Sequence, residues 1–528
     1  MICQIIPCFQ YFIFLPQKKN MKHLHLVIAC SLVLPLITLA QPIVEKRIDL
    51  EQPTYCFNNR VVPINQSTAL GSYEKNLIAG KTIEYNFDVY DTGLAVIWSK
   101  KISYDFALGG FELHCLSEKT VHVLKYNFEG KYALISLDLE KNTVKKVSGE
   151  FSKGNNFTDM KVLGQQVFIA GVVNGEKVIA SIDWQTNKQK IYPIEIVGIK
   201  SNKIRFLNSE KVGVANSLVF YYKVFATNKT CDIFAINING AGELSAPINL
   251  SANQNTFVHS TNTQALPATN DIRTGIFASE PSNFQNGIFF SKSPIDNGVT
   301  PEYYLLNSLK DFNKIANEQF TILRKSREFV GSIINKPEEL YLVQNPTRKL
   351  EDGYLLMSEV FYPTTVSNGQ TSSIGNMHMG FGGFKYTMAT IMKLDLNGKM
   401  VWNACFPMPI NEKSYANYWR DVFGQPPVME THLRLNENTS KTINIAYLNT
   451  FKMVYRTYAA NGNFLKEGEL DLGYKNIVPK DQELLGTGLN YWYNDSYLVF
   501  GSVHSKEKTK RGEDDRPNQI FIAKVKLP

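Results

Sequence analysis

Residues Thr390 to Pro407 read TIMKLDLNGKMVWNACFP. Two runs rich in apolar and β-branched residues flank Asp395 and the pair Asn397-Gly398. Both members of an Asn-Gly pair tolerate positive φ, so such a pair between apolar runs is a strong hairpin signal. The unit recurs: a strand ends on Asp or Asn, a tight turn follows, and a second strand begins. Copies surround Asp91 (YNFDVYDTGLAVIWSK), Asp138 (LISLDLEKNTVKKV), Asp183 (VIASIDWQTNKQKIYPI), Asn237 (IFAININGAGELSAPI) and Asn461 (RTYAANGNFLKEGEL). Two looser copies are YYLLNSLKDF near Leu306 and the last strand, IFIAKVKLP. The spacing is 47 residues from Asp91 to Asp138, 45 to Asp183 and 54 to Asn237.

The residues between the copies also read as strands. KYALISLDL (Lys131 to Leu139), QVFIAGVV (Gln166 to Val173), SLVFYYKVF (Ser217 to Phe225) and YLVFGSV (Tyr497 to Val503) are short, apolar and bounded by turn residues. Leu306 to Glu318 is the best helical stretch, and its period is weak. Four short strands every 45–60 residues is the spacing of β-propeller blades, whose sheets bury both faces by stacking around an axis. The expected fold is all-β: a β-propeller of seven or eight four-stranded blades spanning 41–528. Dividing the length by a typical domain size gives tandem β-sandwiches as the alternative. No Pro/Ser-rich linker divides the chain.

The turn and following Trp strand in LDLNGKMVW, Leu394 to Trp402, resemble the outer hairpin of repeats in secreted bacterial β-propeller proteins. The resemblance covers one clean copy and five loose ones. It implies the fold and carries over no catalytic residue.

The N-terminus reads as an address. Residues 1–40 hold Lys18, Lys19 and Lys22, no acid, and an apolar run from Leu24 to Ala40 that ends on small residues. That is the layout of a signal peptide cleaved before Gln41, with Met21 as an alternative start. An uncleaved anchor, and lipoprotein processing at Cys30, are the rival readings. Cleavage lowers the basic count from 56 to 53 against 48 acids, so the net charge falls from +8 to +5. Spread over this length, the excess marks no nucleic-acid face. The mixed-sign run His504 to Gln519 reads as a solvated loop. No membrane span is expected after cleavage. Cys56, Cys115, Cys231 and Cys405 remain, too far apart for a Cys-x-x-Cys motif, and three pairings are open to them.

Two segments depart from the repeat. Tyr362 to Thr387 is rich in Gly, Ser and Thr and carries His378. It reads either as a flexible loop over the axis or as a long surface hairpin. Phe406 to Leu435 carries Tyr418, Trp419, Arg420, Asp421, Glu430 and His432. Aromatics beside Arg and a carboxylate can stack on and hydrogen-bond a sugar or a peptide, although a short packed helix has the same composition. These seven residues are the ligand-binding candidates. The six His beyond residue 40 show no ligand spacing, so no metal or other cofactor is expected. No Gly-x-Ser-x-Gly elbow occurs.

The expected function is therefore an exported, non-enzymatic propeller that binds a protein or glycan partner at the cell envelope. The alternative is a carbohydrate-active enzyme on the same scaffold, with Asp421 and Glu430 as its carboxylates. A purely structural envelope subunit is a third class.

Overall fold

The computed structural model describes residues 42–527, apart from 51–55, 79–81, 106–107, 109–110, 117–118, 213–216, 226–230, 251–256, 265–271, 279–284, 293–300, 326–339, 372–376, 413–430, 437–441, 450–451, 473–481 and 506–517. Strand β1 (Ile43–Leu50) waits for the last blade. Blade 1 is β2 (Cys56–Pro63), β3 (Thr68–Ile78), β4 (Thr82–Asp91) and β5 (Val96–Asp105). Blade 2 is β6 (Phe111–Leu116), β7 (Thr120–Tyr126), β8 (Lys131–Asp138) and β9 (Thr143–Glu150). Blade 3 is β10 (Asn156–Leu163), β11 (Gln166–Val173), β12 (Glu176–Asp183) and β13 (Gln189–Pro193). Blade 4 is β14 (Ile204–Val212), β15 (Ser217–Phe225), β16 (Cys231–Ile238) and β17 (Ile248–Asn249).

Blade 5 is β18 (Phe257–Gln264), β19 (Ile272–Ala278), β20 (Gly287–Ser291) and β21 (Glu302–Leu305). Helix α1 (Phe312–Lys325) follows. Blade 6 is β22 (Tyr341–Gln344), β24 (Gly353–Thr371), β25 (Met377–Asp395) and β26 (Met400–Glu412), with β23 (Arg348–Leu350) as an extra partner of β24. Blade 7 is β27 (Arg434–Leu435), β28 (Thr442–Asn449), β29 (Lys452–Ala459) and β30 (Phe464–Asp471). Blade 8 is β31 (Gln482–Tyr493), β32 (Ser496–Ser505), β33 (Asn518–Lys526) and β1.

The fold is an eight-bladed β-propeller. Every blade is an antiparallel meander, and β1 completes blade 8 by pairing Ile43–Leu50 with Ile520–Lys526. Apolar clusters line all eight interfaces between blades. Val61, Tyr90 and Leu94 of blade 1, for example, meet Trp492, Leu498 and Ile522 of blade 8, which closes the ring. Tandem sandwiches would not bury blade 1 against blade 8. Central strands such as β19 and β20 are buried along their whole length, because a neighbouring blade covers each face.

The recurring Asp/Asn unit is the turn between the third and fourth strand of a blade. At Asp395 the amide N–H groups of Asn397 and Lys399 both donate to Oδ1 at 2.8 Å, and Gly398 N–H donates to the Asp395 carbonyl. Only Gly398 has positive φ, at 86°. The turn is therefore a type I turn with a bulge, and not the two-residue Asn-Gly turn expected from sequence. Asp91 and Asn239 repeat the arrangement, with Leu94 and Gly242 at positive φ. Asp138 and Asp183 use turns one residue longer, with Asn142 and Asn187 in that role.

Two looser copies were misplaced. YYLLNSLKDF holds β21 and a 3-10 turn, Leu306–Ser308, which starts the crossover to blade 6. IFIAKVKLP belongs to β33, the third strand of blade 8, whose fourth strand comes from β1. Helix α1 starts later than the weak helical period, at Phe312. It buries Phe312, Ile315, Phe320 and Leu323 with the apolar residues of blades 5–7.

A side chain of the outer strand of blades 1, 2, 3, 5 and 6 then clasps the next blade's turn. Trp98 Nε1–H donates to the Asn142 carbonyl at 3.1 Å, and Tyr192 Oη–H to the Gly242 carbonyl at 2.8 Å. Tyr304 Oη–H donates to the Gly398 carbonyl, and Trp402 Nε1–H to the Ala460 carbonyl at 3.0 Å. Lys145 reaches the Gln185 carbonyl in the same way.

Candidate functional site

A four-stranded meander places two turns at one end, and its middle turn plus the crossover to the next blade at the other. The Asp/Asn turns mark the first end, here called the turn face. The opposite crossover face carries the long departures from the repeat. Tyr362 to Thr387 is part of the β24–β25 hairpin. Pairing continues through Thr364↔Gly383 and Ser367↔Met379 to Thr371↔Met377, well past the last pair of β22, Tyr341↔Phe361. Beyond Phe361 and Phe384 the two strands thus form a ribbon without flanking partners, extending roughly 30 Å at the usual strand rise. The hairpin reading of this segment holds, and the loop reading does not. His378 lies on the ribbon, in β25, and its side chain is outside the described residues.

Residues 413–430, which contain Tyr418, Trp419, Arg420, Asp421 and Glu430, also lie outside the described residues. Their anchor points are clear. Glu412 pairs with Phe384 at the root of the ribbon. The chain returns at Thr431 and His432, beside β24. The two segments singled out in the sequence therefore leave the same face of blade 6.

His432 is the one candidate whose surroundings are described. Its N–H donates to both oxygens of Glu359, at 2.8 and 3.0 Å, and Leu433 N–H donates to Oε1 at 2.9 Å. His432 Nδ1 stands 3.2 Å from Oε2, and Asn345 Nδ2–H donates to Oε1 at 2.9 Å. Glu359 is fully buried in blade 6. A buried carboxylate that gathers backbone and side-chain donors is a fastener. It holds the start of blade 7 against blade 6, with the His432 ring edge-on to Tyr386 at 4.2 Å. His432 is thereby turned into the interface.

The densest polar cluster lies elsewhere, in the cleft between blades 1 and 2. The Lys125 ammonium (β7) contacts both Glu74 (β3) and Glu112 (β6), and Glu112 also contacts His114 Nε2. Tyr85 Oη–H donates to Glu112 Oε1 at 3.4 Å, and Lys125 Nζ stands 5.5 and 5.6 Å from the ring centres of Tyr85 and Tyr104. Two carboxylates share one ammonium in a buried cleft. Burial pushes Glu74 up to about 7, against the pull of Lys125. Burial, then Arg60 and Lys125, hold His114 well below its ordinary range. The cluster's charges are spent on one another, and the Glu74 and Lys125 side chains are each 1% exposed. Sequence reading missed these residues and Glu359. The available signal was a charge inside an apolar strand, as Lys125 is in TVHVLKY.

Cys115 and Cys405 are free, and burial raises both thiols, Cys405 to about 12. Neither is an activated nucleophile. The side chains of Cys56 and Cys231 are outside the described residues. Among the described residues no three His, Cys, Asp or Glu side chains stand close enough to hold one metal ion, and no helix is long and apolar enough to cross a membrane.

No family model and no curated protein matches this chain. Among solved structures, the β-propeller domain of the Trilobed protease from Pyrococcus furiosus is similar at 8% identity and TM-score 0.35, covering 82% of this chain and 98% of that one. The WD40 domain of SCAP from fission yeast is similar at 9% and 0.38, covering 89% and 98%. A protein from Lactobacillus plantarum is similar at 11% and 0.37, covering 76% and 96%.

Proposed function

We propose that this chain is an exported, non-enzymatic propeller that docks a protein or glycan partner on the crossover face of blades 6 and 7. One observation carries the reading. The ribbon of β24 and β25 and the 413–430 segment leave the same face of one blade, while the turn faces of blades 1–3 are closed by short capped turns. Loops on a rigid scaffold are where binding residues concentrate. Residues 1–40 act as the export signal in this reading. The two polar clusters with described geometry, around Glu359 and around Lys125, are both committed to holding blades together, which favours binding over catalysis.

The test replaces residues 364–383 with Asn-Gly, so that Pro363 and Phe384 flank a short turn. Wild type and variant are melted and applied to a glycan array and to immobilised envelope proteins. An unchanged melting temperature with loss of the wild-type ligands is the expected result. Retained binding would refute the docking face. Turnover of a glycan by the wild type, abolished by Asp421→Ala or Glu430→Ala, would favour the enzymatic alternative.

A further inference from the structure

Arg273, on β19, is a buried cation that forms no ion pair with any described residue. The residue is 7% exposed, and its Nε is fully buried without a hydrogen-bond partner. Its guanidinium carbon stands 5.6 Å from the centre of the Phe289 ring. Among the described residues, the titratable groups that bear on it are the phenols of Tyr221 and Tyr303. Buried lysines elsewhere are treated differently: Lys125 meets two glutamates, and Lys393 Nζ stands 2.7 Å from Asp352 Oδ2.

The strand pattern places Arg273 in the cleft between blades 4 and 5. On β15, Val219 and Tyr221 join the cluster shared with blade 5, whereas Leu218, Phe220 and Tyr222 pack toward blade 3. On β19, Phe277 faces blade 4, and Ile272 and Ile276 face blade 6. Alternation puts Arg273 on the Phe277 side. Lys223, also buried, continues the Tyr221 side of β15. The apolar residues of this cleft are Val219, Tyr221, Ile233, Ala235, Leu250, Phe277 and Phe289, with Leu207, Ile248 and Tyr303 packed against them.

A guanidinium removed from water loses strong hydrogen bonds, and an aromatic face returns only part of that loss. Its planar fork of donors fits one oxyanion in bidentate fashion. We propose that the blade 4–blade 5 cleft is a binding site for an oxyanion group (carboxylate, sulfate or phosphate), with Arg273 donating to it and Phe289, Tyr221 and Tyr303 walling it. Arg273 sits near the start of β19, toward the turn face. The site is thus distinct from the crossover face of blades 6 and 7, and either proposal can fail without the other.

The experiment titrates the purified chain with sodium acetate, sulfate and phosphate at fixed ionic strength. Melting temperature and calorimetric heat are read for wild type, Arg273→Met and Arg273→Lys. The wild type should bind at least one anion saturably, and the responding anion identifies the group. Both variants should bind at least about tenfold more weakly, Met by loss of the charge and Lys by loss of the fork. Without anion, R273M should melt no lower than wild type, since it removes a buried charge that no described residue pairs with. No saturable binding below about 10 mM would overturn the proposal. So would equal binding by R273M, or an R273M that unfolds more readily than anion-free wild type.

Discussion

At the scale of single residues, buried polar groups do the fastening. Glu359 accepts from His432 N–H, Leu433 N–H and Asn345 Nδ2–H. Glu359→Gln turns one acceptor oxygen into a donor facing other donors. It should cost about 2–3 kcal/mol in urea unfolding, without loss of the isolated-strand signature in circular dichroism. Buried histidines weaken the fold in acid. His122 is fully buried between Ser136 and Thr120, and burial lowers it to about 4. It is neutral in the folded chain and charges freely in the unfolded one. Its contribution is complete above about pH 6.5 and is lost as pH falls toward 4. His114 acts in the same direction. Glu74, raised to about 7, has the opposite sign: its contribution is complete below about pH 4.5 and is lost as pH rises through 7. Urea titrations at successive pH values should therefore show His122→Gln flattening the acid limb by about 3 kcal/mol, and Glu74→Gln flattening the decline between pH 5 and 8. Little of this was legible in the sequence. His432 stood out as a candidate because it lies in an irregular segment. Glu359 and Glu74 did not, because a strand's pattern does not reveal which partner a neighbouring strand or blade supplies.

At the scale of elements, the propeller is built from a capped turn and a clasp. The turn was legible because its chemistry is local: an Asx oxygen, a residue at positive φ and a following strand all lie within five residues. The clasp was not, since Trp402 bonds to a carbonyl of the next blade, 58 residues away in sequence. Gly462 joins the two devices. Its φ is 87°, and a Cβ there would lie 2.5 Å from Trp402 Cγ. Gly462→Ala should cost about 2–3 kcal/mol, because it adds a clash with a packed ring to the left-handed penalty. Trp402→Phe should cost about 1 kcal/mol from the lost hydrogen bond alone. Guanidinium unfolding of the two variants checks the order: Gly462→Ala should be the more damaging. Leu94 meets the same backbone demand at φ 55° without glycine. Its side chain is buried against blade 8, and that packing offsets the strained backbone.

At the scale of the molecule, eight similar sheets become one body because β1 returns to complete blade 8. The sequence placed the blade count at seven or eight, since the closing blade draws strands from both ends of the chain and has no third-to-fourth-strand turn. The spacing of the repeat was most regular through blades 1–4 and was stretched by α1 and the ribbon in blades 5 and 6, although the clearest single copy, at Asp395, lies in blade 6. Ring closure underlies both proposed sites, because each lies where neighbouring blades are held in fixed register. The pair Lys46↔Lys524 joins β1 to β33 across the closure. Paired residues on adjacent antiparallel strands lie within disulfide reach. Lys46→Cys with Lys524→Cys is therefore the most direct measurement, scored by mass spectrometry of the oxidised, unreduced protein. The Lys452→Cys/Asp471→Cys pair, within the hairpin of blade 7, serves as the local control. The closed ring predicts that the 46–524 bridge forms as fully as the 452–471 bridge and raises the melting temperature. A 452–471 bridge without a 46–524 bridge would contradict an eight-bladed ring closed by its N-terminal strand.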